Sequence, residues 1–287
     1  MPDAKISQAP VLENHVPRVT ALITVYNEET WITEAVASLC RQTLTNIEIL
    51  VIDDGSTDET RLRLAAIDDR RLRVLHRERM GRAAALVLGV QEARGTYVAI
   101  LDADDVAYPE RLEKQVSFLD SNPNVAWLGC GEERQDSQRC ETAFRIYPCE
   151  NAAIRQMATR CIPYSHSGVI FLRSLIEQGL TYNPSIPYLI DFEFFLRVAE
   201  RHDVANLPEV LVMRRLRGES YFQSRFNRRS QNRALARLSA SAVRRFGLPY
   251  WHYIFSVARL SYDLFPNSLK KYLRALAGLQ EEFGDQT

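Results

Sequence analysis

The feature that most constrains this chain is the alternation, through its first half, of short β-branched apolar runs with helical patterns. VTALITVY is followed by a helical stretch from about Thr30 to Arg41, and IEILVIDD by one from about Asp58 to Ile67. LRVLHR precedes a helix over GRAAALVLGVQEAR, and YVAILDA precedes one over PERLEKQVSFLDS. Strand-length runs joined by helices predict βαβ units around a mostly parallel sheet, hence an α/β domain with helices on the sheet faces. With 287 residues, 46% of them hydrophobic, the chain can bury a substantial core.

The pattern loosens after VAWLGCG, where the polar stretch from Glu132 to Glu141 reads as a loop. HSGVIFLRS and LPEVLVMRRL then read as strands on either side of a helix over IDFEFFLRVAERH. From Glu219 the pattern is helical and Arg-rich, continuing in WHYIFSVARLSYDLF and SLKKYLRALAGLQEEF. The expected division is an N-terminal arm over 1–17, an α/β domain over 18–219 and a C-terminal helical extension over 220–287. Basic and acidic residues balance at 36 each, so no overall field draws in nucleic acid. Five cysteines without a CxxC pair suggest neither a disulfide framework nor a zinc site. Without a leader-like start or a long apolar run, the expected location is the cytoplasm.

An open parallel sheet binds ligands beyond the carboxyl ends of its strands, so the polar residues closing each apolar run should share one rim. These are Thr24, Tyr26 and Asn27, then Asp53 and Asp54, then Asp102, Asp104 and Asp105. Clustered carboxylates repel one another unless a cation stands among them. Strand parity would put Asp102 and Asp104 on one face, where a hard divalent ion accepts one or two carboxylates and takes substrate phosphates for the rest. The alternative is that Asp104 or Asp105 caps the helix beginning near Pro109. Asp53 or Asp54 can accept a base N–H or a ribose hydroxyl, and Tyr26 offers a ring for a flat base.

With these motifs in view, the chain resembles the inverting family-2 glycosyltransferases of the GT-A fold. The resemblance runs from about Val19 to Ser220 and rests on TVYNEE, VIDDGSTDET, HSGVIFLRS, IDFEFFLRVAE and a long block from GRAAALVLGVQEARGTYVAILDADD to NPNVAWLG. It implies a nucleotide diphosphate sugar donor, UDP-linked, with Thr24, Tyr26 and Asp54 around the nucleobase and Asp53 beside them. It also implies that Asp104 contacts Mn2+ or Mg2+, that Asp102 serves ribose, a metal-bound water or the metal, and that Asp191 is the general base. The implied acceptor is a saccharide or lipid-linked hydroxyl, in cell-surface polysaccharide or glycoconjugate synthesis.

The chain departs from the family pattern at three points. Ile190 replaces the acidic residue before the catalytic aspartate, which makes Glu193 an alternate base. Arg79-Met80-Gly81 stands for the family's NxG, where Gly81 allows close backbone approach and Arg79 or Arg82 can meet phosphate. Arg217 ends a run that in many relatives carries a histidine, and its permanent charge can serve the diphosphate. His166 is set aside as a structural residue. Trp251, Tyr253, Phe255, Tyr262 and Phe265 either pack on the domain or, with the arginines upstream, meet an anionic membrane at the cytosolic face. Two other functions fit less of the sequence: a catalytically silent nucleotide-binding scaffold and a sugar nucleotidyltransferase.

Overall fold

The computed structural model describes residues 16–136, 140–187, 189–217 and 228–261, with positions 268 and 272. Most of the N-terminal arm, residues 218–227 across the expected boundary between domain and extension, and most of 262–287, including Tyr262 and Phe265, lie outside the described residues.

The apolar runs become strands as read. β1 (Val19–Val25) and β2 (Ile47–Asp54) are buried almost throughout, and β3 (Leu72–Arg77) and β4 (Tyr97–Ile100) complete a parallel set. Beyond β4 come β5 (Val106–Ala107), β6 (Val125–Asp136), β7 (Glu141–Arg145), β8 (Ile170–Leu172) and β9 (Asp203–Leu216). The sheet order is β3-β2-β1-β4-β8-β6-β9-β5, with β7 paired to β6. β8 runs antiparallel to both β4 and β6, while β6 and β9 are parallel. The sheet is therefore mixed beyond its parallel half.

Helices α1 (Ile32–Cys40), α2 (Thr60–Ala65), α3 (Arg82–Glu92), α4 (Arg111–Ser121), α5 (Asn151–Ala158) and α6 (Ile190–Arg201) cover the sheet. Neighbouring residues of β1 serve opposite cores, Leu22 on one side and Ala21 with Ile23 on the other, as strand alternation requires. On the first side Trp127 stacks on Phe171 with centroids 5.5 Å apart and meets Phe194 and Phe195 edge-on. Each such aromatic pair adds about 0.5–1.5 kcal/mol beyond burial. These contacts clamp α6 to the sheet and fix where its first turn emerges.

Two expectations change. The polar stretch from Glu132 is strand as far as Asp136: β6 continues to there and pairs antiparallel with β7, while β9 runs along its other edge to Leu216. Polar residues hold this extension, through Arg134 to Glu132 at 2.6 Å and Gln135 to Glu133 at 2.7 Å, so it lacked the apolar alternation that marks a strand. Nor does Asp104 or Asp105 cap a helix, since α4 starts at Arg111 after an N-cap at Glu110.

The extension packs back on the domain. α7 (Arg228–Arg245) buries Ala236, Ser239, Ala242 and Val243, and α8 (Tyr253–Leu260) lies against α7. Among the described residues no helix is long and apolar enough to cross a membrane.

Candidate active site

The carboxyl ends of β1, β2 and β4 place two clusters on one rim. The first forms around β2. Asp54, almost fully buried, accepts the Met80 N–H at 2.6 Å, the Gly81 N–H at 3.0 Å and a close hydrogen bond from Arg79. Gly81 has φ 91°, a conformation that disfavours any side chain. Gly55, with φ 78°, lets the loop close: a Cβ there would stand 2.8 Å from the Arg79 nitrogen. The Arg79 guanidinium then lies 3.5 Å from the centroid of the Tyr26 ring, so the Tyr26 face is covered by a cation held in place by Asp54.

Asp53 and Asn27 have different surroundings from those expected of nucleotide contacts. Asp53 is fully buried and accepts the Ser56 N–H at 2.9 Å, Arg61 Nε at 2.6 Å and His76 Nδ1 at 2.9 Å. Burial pushes its pKa up, but the hydrogen bonds from Ser56, His76 and Arg61 outweigh it and hold the carboxyl below the usual range. Asn27, with φ 54°, accepts the Thr57 N–H at 2.8 Å on its side chain and ties the loop after β1 to the loop after β2. Thr24 is half-buried near the end of β1.

The second cluster holds the aspartates after β4. These do not continue the strand: β4 ends at Ile100, and the Asp105 N–H bonds the Asp102 carbonyl at 3.1 Å in a turn. Strand parity consequently does not decide their directions, and each has its own partner. Asp102 Oδ1 accepts Arg82 Nη2 at 2.6 Å, and Asp104 Oδ2 pairs with Arg217 Nη2 at 2.6 Å. Asp105 is buried, bonded by the Ser167 hydroxyl and by the Arg215 N–H at 3.0 Å. Burial, then the charges of Asp104 and Asp102, push its pKa well up. Arg215 also donates to the Asp104 carbonyl at 2.6 Å, which stitches the end of β9 to the aspartate turn.

Arg82, the first residue of α3, is bonded to this turn and also feels the charge of Asp191 on α6. Its guanidinium is held protonated by the charge of Asp102 above all, with Asp191 and Asp104 adding to it. Asp191 is half-exposed in the first turn of α6, where Tyr164 donates to Oδ2 at a long 3.4 Å. Ile190 points into the core at 6% exposure, and Glu193 is committed to Arg197 through bonds of 2.8 and 2.9 Å. The helix thus offers one carboxylate of this pair to the rim. Leu189 enters it at φ 56°, a left-handed conformation costly for a branched side chain.

His166 was not among the expected site residues, yet it sits at the centre. It opens a short 3-10 turn, His166–Gly168, with Nδ1 3.2 Å from Arg82 Nη2 and 3.5 Å from Asp102 Oδ1. Its Nε2 lies 3.1 Å from the Tyr182 hydroxyl. Glu28 was also missed; it receives both Arg217 Nη atoms, at 3.2 and 2.8 Å.

The sequence model of glycosyl transferase family 2 matches residues 20–180, more than half of the chain. The chain belongs to glycosyltransferase family 2. It is 31% identical over 214 residues to an uncharacterised glycosyltransferase of Haemophilus influenzae, covering 70% of this chain and 66% of that protein. It is 32% identical over 202 residues to the amylovoran biosynthesis glycosyltransferase AmsE of Erwinia amylovora, covering 67% and 74%. A Rickettsia felis glycosyltransferase matches at 43% over 109 residues, so this chain spans only 18% of that longer relative.

Solved structures extend the likeness to the fold. S. aureus TarS 1–349 in complex with UDP-GlcNAc aligns at TM-score 0.66 and 18% identity, over 93% of this chain and 76% of that one. PcManGT, a mannosyltransferase of Pyrobaculum calidifontis in complex with GDP-Man and Mn2+, aligns at TM-score 0.61 and 21% identity, over 93% and 81%. The family-2 chain described here thus has the α/β GT-A arrangement.

Proposed function

We propose that this chain is a metal-dependent, inverting glycosyltransferase that moves a sugar from a nucleoside diphosphate donor, UDP-linked, to a hydroxyl of a saccharide or lipid-linked acceptor. The observation that carries the reading is the position of Arg82, whose guanidinium binds Asp102 and feels the charges of Asp191 and Asp104. One cation is thereby bonded to a donor-side carboxylate and within electrostatic reach of the acceptor-side one. The complexes of TarS with UDP-GlcNAc and of PcManGT with GDP-Man support a nucleotide-sugar donor, and AmsE supports a place in polysaccharide synthesis.

The aspartate turn fits a hard divalent cation, Mn2+ or Mg2+. The side chains of Asp102 and Asp104 are 25% and 26% exposed, and each already draws a guanidinium to within 2.6 Å. Among the described residues no cluster of three or more histidine, cysteine, aspartate or glutamate side chains is set to hold an ion. Such a site suits a metal whose remaining ligands come from the diphosphate and water. Asp104 and Asp102 would hold it, and its charge would stabilise the departing nucleoside diphosphate.

The chain's own residues supply the rest. Tyr26 and Arg79 form a two-layer platform for the base, locked by Asp54 and Gly81, with Thr24 alongside. Arg217 and Arg82 hold fixed positive charge where negative charge grows on the β-phosphate. Asp191 takes the proton of the acceptor hydroxyl as its oxygen bonds the anomeric carbon and the bond to the phosphate oxygen breaks. One displacement inverts the centre without a covalent enzyme intermediate.

The test is release of nucleoside diphosphate from a panel of nucleotide sugars, with Mn2+ and with chelator. Activity that stops on chelation and in Asp104→Ala is expected. Full turnover in that variant would sink the metal assignment. Tight nucleotide binding without turnover on any donor and acceptor would favour a silent scaffold.

A further inference from the structure

The outer face of α8 is apolar and exposed. Its inner face is seated: His252 Nδ1 lies 3.0 Å from the Thr159 hydroxyl, Arg259 donates to the Arg160 carbonyl at 2.7 Å, and the Arg160 guanidinium covers the Phe255 ring at 4.5 Å. Outside lie Tyr250, Trp251, Ile254, Val257 and Leu260, from 57% to 88% exposed. Spacings of three and four run them along one side of the segment. The expectation that these aromatics pack on the domain therefore holds for Phe255 and not for Trp251. A contiguous apolar face of this kind marks an interaction surface.

The charge around it selects the partner. From Ser220 to Ser261 the sequence holds eight arginines and neither aspartate nor glutamate. On α7, Arg233, Arg237 and Arg244 are exposed, and spacings of four and seven align them on one side of the helix. Two copies meeting through this region would bring two arginine arrays together, which opposes self-association. An anionic bilayer satisfies both features: aliphatic side chains enter the acyl boundary, Trp and Tyr rings lie at headgroup level, and arginines meet lipid phosphate. We propose that α7 and α8 form a docking face for the surface of an anionic lipid membrane. α8, at 8 residues, is far too short to span one, so the attachment is peripheral.

The test uses the full chain in co-sedimentation with vesicles of phosphatidylcholine alone or mixed with phosphatidylglycerol. Wild-type protein is expected to pellet with the mixed vesicles, to stay in solution with the neutral ones, and to be released by salt. Ile254→Glu with Val257→Glu should abolish pelleting. Arg233→Gln with Arg237→Gln should weaken it by about fivefold for each arginine, the worth of one basic residue near an anionic surface. All four positions are exposed, so circular dichroism and the unfolding midpoint should stay at wild-type values.

Three results would overturn the proposal: equal binding to both vesicle types, no binding to either, or a lower unfolding midpoint in the glutamate pair, which would mark the face as internal packing. Wild-type dimers in lipid-free sedimentation that the glutamate pair dissociates would assign the face to a second copy.

Discussion

Arg217 stands between two carboxylates, with Nη2 2.6 Å from Asp104 Oδ2 and 2.8 Å from Glu28 Oε2. Among the described residues its buried Nε has no hydrogen-bond partner. A donor diphosphate could take over part of its bonding. Arg217→Ala is expected to lower kcat/KM by about ten- to a hundredfold, the scale of one lost charge-assisted hydrogen bond. Because Asp104 loses its competing cation, calorimetry on the nucleotide-free protein should show Mn2+ binding more tightly in the variant. Weaker Mn2+ binding would mean that Arg217 supports the metal site instead of competing for it.

Asp191 and Ile190 share a turn but face opposite environments, solvent for one and core for the other. Asp191→Asn should cut kcat by about a hundred- to ten-thousandfold while nucleotide affinity, measured by calorimetry, stays at the wild-type level. Glu193→Gln should keep kcat within a few fold, since that carboxylate is engaged by Arg197. Ile190→Glu, which installs the family's usual acid, buries a carboxylate at a position that is 6% exposed. It should lower the unfolding midpoint instead of raising activity.

The placement of the rim carboxylates was legible in the sequence because each closes an apolar strand, and Asp54 and Asp102 lie where such a strand must end. The directions of Asp102 and Asp104 were not, because a turn replaces the strand and parity no longer applies. His166 and Ser167 gave no periodic signal, since a three-residue turn has none and their side-chain contacts come from the aspartate turn after β4, from Arg82 and from Tyr182, distant in sequence. The β6–β7 pairing was missed for another reason. Ion pairs and a neighbouring strand stabilise it, and neither leaves a period-two pattern.

Asp53 and Asp54 are adjacent yet should fail differently. Asp53 is fully buried among donors, so Asp53→Asn is expected to cost about 1–3 kcal/mol at neutral pH with modest change in nucleotide affinity. Asp54→Asn releases the loop that seats Arg79 on Tyr26 and should raise the donor KM about tenfold or more. The folded-state pKa of Asp53 is depressed. Its contribution is therefore present above the unfolded value near about 3.9 and is lost as pH falls through the lower folded value. Denaturant titrations across that window should show a shallower loss of stability in Asp53→Asn than in wild type.

Arg111 connects the core to the rim. It is fully buried, donates from Nη2 to the carbonyls of Ile100 at 2.9 Å and Val169 at 3.1 Å, and bonds Gln115 at 3.1 Å through Nε. Burial pulls its pKa down to about 10, so it remains charged at neutral pH. The two carbonyls belong to the segments that lead into Asp102 and out of the His166 turn, so this side chain sets the spacing between them. Arg111→Ala would remove a donor from both carbonyls and open a cavity, although the Ile100 N–H still bonds Val169, and should cost about 3 kcal/mol or more. Arg111→Met fills the space without the donors and should recover part of that stability. If the arginine positions the rim, kcat in Arg111→Met stays low at temperatures well below its unfolding midpoint. Wild-type kcat in that variant would confine Arg111 to packing.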